Sequence, residues 1–335
     1  MKRLVLIVLT LASITGILSA GCTSTFSTSA FSPAGSAAAP ALTAVAASGQ
    51  TWDLRFGYDQ AATSYFHLYI AETWAKNINQ ATRGRVTVEL YPSDTLMKST
   101  DALKALSKGT SDLALVIPSY FPGEFAIVDV ISLPFVASTG TRASAIAWRV
   151  YEKTPEVQNA FADYKVISIW TAEPMYLHGA SRNYQTLDDF KGQKIRCSAG
   201  PSTDLINRLG GNAIIFSMVD AYINLQKGVV DAIVISSEGA MGSRTYEVAP
   251  YLTYFPGPAT VYTILMSRKV WDKMPADIQQ AIDSVSLDTL SRLAGEVNDR
   301  ARVDMVRKCQ ETGVALTEYN VPADEIRRWL EKAGN

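Results

Sequence analysis

A chain of 335 residues, 47% of them apolar, exceeds what one ordinary hydrophobic core organises and reads as two lobes of common domain size. A formal net charge of -1, with no basic stripe and no interleaving of aromatic and basic residues, excludes a nucleic-acid partner. Only His67 and His178 occur, neither in a metal-ligand spacing, and there is no nucleophile elbow or phosphate-gripping glycine loop, so an exported enzyme is the weakest of the functional classes and no cofactor or metal is expected.

The chain begins with Lys2 and Arg3, an apolar run from Leu4 to Ile17, and small residues up to Gly21, which reads as a secretory signal peptide over 1–21, too short to span a bilayer. The segment Leu18-Ser-Ala-Gly21-Cys22 resembles a bacterial lipobox, which implies cleavage before Cys22 and lipidation of its thiol; Leu18 stands one place early, and ordinary cleavage further on is the alternative. Residues 22–50, rich in Ser, Thr, Ala, Pro and Gly and almost uncharged, cannot bury enough apolar surface to order themselves and read as a lipid-anchored, disordered tether.

The first strand is expected from Trp52, followed by an amphipathic helix over 62–81 and a strand Arg85–Tyr91 whose Val86, Val88 and Leu90 share one face. A helix over 99–107 leads through Gly109 into the strand Leu113–Ile117, and strand-helix-strand order predicts a parallel sheet. These elements define lobe I, residues 51–163, with contributions from about 250–275. Lobe II, residues 164–249, opens on the strand Tyr164–Trp170 and continues through Lys194–Ser198, Ala213–Phe216 and Ala232–Ile235. Thr260–Met266 is a further strand. A helical pattern then runs from Pro275 to Gly313, long enough that it must bend or span both lobes, within a segment 275–335.

One pattern occurs twice, as Leu106-Ser-Lys-Gly109-Thr-Ser-Asp112-Leu-Ala-Leu-Val116 and Leu225-Gln-Lys-Gly228-Val-Val-Asp231-Ala-Ile-Val234. Each copy reads as a helix closed by a left-handed glycine, then an Asp leading into an apolar strand. Repeated so far apart, this joint predicts two similar α/β lobes with a cleft between them, where small molecules bind. Cys197 and Cys309 read as two buried apolar residues in preference to a disulfide.

The block Leu187-Asp-Asp-Phe-Lys-Gly-Gln-Lys-Ile-Arg196, followed by Met218-Val-Asp-Ala-Tyr-Ile-Asn-Leu-Gln-Lys-Gly-Val-Val-Asp231, resembles the extracytoplasmic solute receptors of tripartite ATP-independent periplasmic (TRAP) transporters, the DctP-like family. Thr82–Pro92, Lys108–Val116, Leu133-Pro-Phe135 and Trp271–Ala276 resemble it too, so the similarity runs from about Trp52 to Trp329. It implies a two-lobed α/β periplasmic-binding-protein fold with a central cleft and a long bracing helix, a small organic acid as ligand, and a membrane permease as partner. It also implies that Arg196 clamps the ligand carboxylate. The chemistry agrees, because a guanidinium offers two parallel donors and stays charged, and Arg196 falls near the C-terminal end of its strand, where open α/β sheets bind ligands. From the residues alone, a surface ion pair with Asp188 or Asp189 is an equal reading.

Two family features are absent. The second Arg of sialic-acid receptors is replaced by the neighbourhood Met175-Tyr176-Leu177, and the usual Asn after the second repeat is missing, leaving Ser236, Ser237 or Glu238 to replace it. Other cleft candidates are Tyr58 and Gln60 after the first strand, Lys98, Ser119 and Tyr120, with Tyr176, Ser236 and Met218 from the second lobe. Lys98 reads equally as a solvated residue at a helix start and Met218 as ordinary core, while Trp170 and His67 read as packing residues. Aromatics with one or two cations favour a monocarboxylate, keto acid or aryl carboxylate over a sugar acid. The rival to an uptake receptor is a binding protein serving another importer or a membrane sensor.

Overall fold

Short apolar runs, alternating between two buried faces, build both sheets of the molecule. In the computed structural model the described residues are 49–334, without Pro122, Ala199, Ser217 and the side chain of Val219. The signal peptide, Cys22 and all but the last two residues of the tether lie outside the described residues. The strands are β1 (Trp52–Gly57), β2 (Val86–Tyr91), β3 (Leu113–Val116), β4 (Tyr164–Thr171), β5 (Tyr176–Gly179), β6 (Lys194–Arg196), β7 (Asn212–Ile214), β8 (Ala232–Ile235), β9 (Tyr251–Tyr254), β10 (Val261–Ser267) and β11 (Thr317–Asn320). The helices are α1 (Glu72–Ala81), α2 (Ala102–Lys108), α3 (Gly140–Lys153), α4 (Pro155–Asn159), α5 (Pro201–Leu209), α6 (Ala221–Gln226), α7 (Ser237–Ser243), α8 (Arg268–Trp271), α9 (Ala276–Ser284), α10 (Leu287–Thr312) and α11 (Ala323–Gly334).

One sheet has the order β2-β1-β3-β10-β4 and the other β11-β9-β5-β8-β6-β7. β1 runs parallel to β2 and β3, and β6 parallel to β7 and β8, as strand-helix-strand order requires. Each sheet is covered on both faces. In β3, Leu113 and Leu115 enter one apolar cluster and Ala114 and Val116 another; in β8, Ala232 and Val234 separate from Ile233 and Ile235 in the same way.

The repeated joint has the same geometry in both sheets. Gly109 and Gly228 adopt φ of 75° and 68°, the left-handed turn anticipated for them. The Asp then closes on the neighbouring parallel strand: Asp112 Oδ2 accepts from the Arg55 amide at 2.9 Å, and Asp231 Oδ2 from the Lys194 amide at 2.8 Å. The repeat is therefore a folding device that locks helix, turn and strand register together.

Two expectations are corrected. The strand Tyr164–Thr171 does not open the second lobe; it pairs antiparallel with β10 in the first sheet, so the chain crosses over only after Thr171. Its run of buried residues fits a strand covered on both faces in either sheet, and periodicity cannot choose between them. The helical pattern from Pro275 is interrupted between α9 and α10, where Leu287 takes φ of 54°. Tertiary bonds compete for the backbone and side chains there: Ser286 Oγ accepts from Trp74 Nε1 at 3.0 Å and the Leu287 carbonyl from Ser168 Oγ at 2.8 Å.

α10 does span both lobes. Leu290, Ala294 and Val297 pack with the first sheet, whereas Met305 and Cys309 pack under the second. Cys197 and Cys309 are separate, buried free thiols. Among the described residues no helix is long and apolar enough to cross a membrane.

Candidate functional site

Two extended segments, after β4 and after β9, carry the chain between the sheets and are stitched to each other and to the loop at Phe135. Phe135 donates its amide to the Pro256 carbonyl at 2.6 Å, Ala172 to Thr260 at 2.8 Å and Met175 to Pro258 at 2.8 Å. Beside them lies a crevice lined by Pro118 and Ser119 from the first sheet and by Ser198 and Ser202 from the second. Strand ends from both sheets therefore face each other here, where an open α/β sheet presents its ligand-binding loops.

Arg196, the last residue of β6, is half-buried two residues before Ser198. Its Nε and Nη2 both donate to the Phe216 carbonyl, at 3.3 and 3.0 Å, which holds the guanidinium against the strand end. Among the described residues no carboxylate pairs with it. The alternative ion pair is overturned, because Asp188 is bound by Lys191 at 2.6 Å and Asp189 serves the capping box of Thr186. Burial draws the Arg196 pKa down from its ordinary value while the Cys197 thiol and the Tyr120 hydroxyl oppose the shift, and a guanidinium remains charged throughout.

Tyr120 ends the turn Pro118–Tyr120 across the crevice, 42% exposed, and donates its hydroxyl to Asp59 Oδ2 at 3.1 Å. Its pKa is raised by burial and by Asp59, and Arg196 acts on it in the opposite direction, which couples the two walls electrostatically. Ser119 is exposed on the same turn and lines the crevice. Of the three, Ser119 lines the crevice itself, while Tyr120 is its chain neighbour and Arg196 lies two residues before the lining Ser198.

The remaining candidates are placed differently. Tyr58 is fully buried among Phe56 and Phe66, with its hydroxyl 2.6 Å from His67 Nδ1, so the strand end turns it into the core. Tyr176, only 3% exposed, packs edge-on against Tyr254 at 4.6 Å under Arg302 and is likewise core. Ser236 caps α7 by accepting from the Gly239 amide at 3.2 Å. Met218 is half-buried against the cluster containing Leu225 and Ile235. Lys98 is exposed, and no described contact ties it to the crevice. Gln60 donates to Asp59 at 3.3 Å. Trp170 packs, stacked on Phe66 at 6.2 Å and on Tyr262 at 5.8 Å.

Two acids add to this picture. Asp59 lies two residues past β1, and its carboxyl is held above the usual range by burial, against the Tyr120 hydrogen bond. Glu238, in the first turn of α7, accepts weakly from the Phe66 amide at 3.4 Å and is also held up by burial, with Asp59 adding to the shift. Of the three residues offered in place of the missing Asn, Glu238 is the one that meets the first lobe. Asp59 lacks any motif of its own; its position two residues past a strand end, beside Tyr58, is the available signal.

Comparison with known proteins agrees with this architecture. The C4-dicarboxylate-binding periplasmic protein DctP of Rhodobacter capsulatus is 24% identical over 266 residues, 75% of each chain. A marine metagenome TRAP solute-binding protein specific for aromatic acid ligands, solved with 3-hydroxybenzoate, superposes with a TM-score of 0.78 at 18% identity, covering 85% of this chain and 90% of its own. A TRAP periplasmic solute-binding protein of Bordetella bronchiseptica with bound mandelate gives 0.75 at 24% identity, covering 84% and 89%. These likenesses establish the shared two-lobed fold. The family profile described as bacterial extracellular solute-binding protein, family 7 (DctP), matches residues 56–334, nearly everything after the tether, and the chain belongs to that family.

Proposed function

We propose that this protein is the extracytoplasmic receptor of a TRAP transporter, that it captures a small organic acid by its carboxylate at Arg196, and that it delivers the acid to a membrane permease. The observation that carries the reading is a half-buried guanidinium at a strand end, two residues before the crevice-lining Ser198, whose hydrogen-bond partner among the described residues is a backbone carbonyl and not a carboxylate. Two donors of its fork reach the same oxygen, so a carboxylate replacing that oxygen would gain a charge-assisted, bidentate partner. Ser119 and Tyr120 supply contacts from the other lobe. The monocarboxylate class, aryl acids included, suits a wall of aromatics with a single cation, and the relatives solved with hydroxybenzoate and mandelate bind such acids. Periplasmic residence accords with the family, and tethering through lipidated Cys22 belongs to the same proposal.

Titration calorimetry of Arg196→Ala tests the clamp. Two charge-assisted hydrogen bonds of about 1.5–3 kcal/mol each convert to a loss of roughly a hundredfold or more in affinity for the acid that co-purifies with the wild type. Unchanged affinity in a folded variant removes Arg196 from the site.

A further inference from the structure

Between Phe125 and Leu133 the chain sorts its side chains by threes. Ala126–Ser132 is a 3₁₀-helix, in which residues three apart eclipse one another, so three rows run along it. Phe125, Val128 and Ile131 form one row and are buried in the core beneath the first sheet. Ala126, Asp129 and Ser132 form the second, and its Asp129 and Ser132 line the crevice opposite Ser198 and Ser202. Ile127, Val130 and Leu133 form the third. Each of these is between 45 and 47% exposed, and Val136 extends the apolar surface at 47%. Single exposed apolar residues need no explanation, but a continuous ridge beside a crevice does. Because the crevice row faces the second lobe and the ridge lies a third of a turn away from it, closure of the lobes across the crevice leaves the ridge uncovered.

The surrounding charge selects what covers it. No Lys, Arg or His occurs between Lys108 and Arg142, whereas the exposed Glu124 precedes the ridge and the exposed Asp129 stands on the adjoining row. A second copy docked here about a two-fold axis would set these acids against themselves, and an anionic lipid surface would repel them. The complementary surface is that of another protein, apolar at its centre and rimmed by Lys or Arg.

We infer that the ridge Ile127–Val130–Leu133 is a docking face for the membrane protein that takes the acid from the crevice, engaged through an apolar segment with a basic rim. This rests on the reading above, in which that protein is the permease. A partner seated on the ridge also borders the crevice row, which places it where the acid leaves.

Photo-cross-linking in living cells tests this. p-Benzoylphenylalanine is placed singly at position 127, at position 130 and, for comparison, at position 303 on α10, where Val303 is 66% exposed, in the full chain expressed in its own host. Adducts are identified by mass spectrometry, and the fold of each variant is checked by thermal unfolding. Positions 127 and 130 should yield an adduct with a TRAP permease subunit. Adding Ile127→Ser to the position-130 probe, or Glu124→Lys to either, should lower its yield at least about fivefold. Adducts with a second copy of this chain alone, no membrane-protein adduct, or a yield indifferent to both substitutions overturns the inference. A permease adduct from position 303 and none from the ridge sinks the docking face and leaves the receptor reading standing. Ridge adducts with a different importer or a membrane sensor do the reverse.

Discussion

Glu173 shows how a single buried carboxyl can shape stability. It sits on the segment that crosses between the sheets and is 1% exposed; its Oε1 accepts the Ser237 amide while Oε2 has no partner among the described atoms. Burial pushes its pKa up to about 8, opposed chiefly by the Ser237 hydrogen bonds, with Asp299 raising and Arg302 lowering it further. The folded protein therefore keeps a proton that the unfolded chain releases at an ordinary carboxyl pKa, and stability is lost as pH rises toward about 8. His178 acts with the opposite sign. Fully buried, with neither ring nitrogen partnered among the described residues, it is drawn down to about 3, so stability is lost as pH falls below its ordinary value of 6.5. Thermal unfolding across pH 5 to 9 should show wild-type stability declining above neutrality and Glu173→Gln flattening that limb; an unchanged decline assigns it to other groups. At this scale the sequence was only partly legible. Arg196 and Glu238 could be singled out because their neighbours form recognisable runs, whereas Asp59 and Glu173 stand in no such run, so their meaning comes from what folding brings around them. Tyr58 and Tyr176 lie at strand ends, yet one residue of register decides whether such a side chain enters the cleft or the core.

At the scale of elements, the joints closed by Gly109 and Gly228 were readable because their chemistry is local: a left-handed glycine and an Asp within hydrogen-bond reach of the next strand. The placement of β4 was not readable, since its pairing with β10 joins residues about a hundred positions apart and leaves no local trace. Nor was the break before Leu287, which depends on Trp74 and Ser168. The contact of α10 with α3 depends on another long-range detail. A Cβ at Gly295 would lie 2.8 Å from Thr141 Cα and 3.0 Å from the Gly140 carbonyl, and one at Gly140 would lie 3.1 Å from the Gly295 carbonyl. Backbone forms most of this boundary, so it has little freedom to give. Asp299 fastens the same junction through the Gly140 and Thr141 amides. Chemical denaturation of Gly295→Ala should therefore reveal a loss of about 1–3 kcal/mol, despite the better helix propensity of alanine. Equal or greater stability would mean that the two helices can separate without cost.

For the whole molecule, α10 is anchored to both lobes while the site lies at the opposing strand ends, so a ligand held between Arg196 and Tyr120 would favour their approach only if it binds the closed form more tightly. Tyr65 reaches α10 from the first lobe, with its hydroxyl 2.7 Å from Asp304 Oδ2, and the Phe66 amide meets Glu238 at 3.4 Å, so the two lobes touch along this side. The overall architecture was legible from element order, motif order and the duplicated joint, all properties that short stretches carry. Which lobe a strand joins, and what faces the guanidinium, depends on pairings across the chain. The most direct measurement is a crystal structure of the protein with its co-purified acid. The ligand carboxylate should occupy the Arg196 fork with both oxygens within hydrogen-bond distance of the guanidinium and Tyr120 closing from the other lobe. A carboxylate directed away from Arg196, or a ligand bound outside this crevice, would contradict the account.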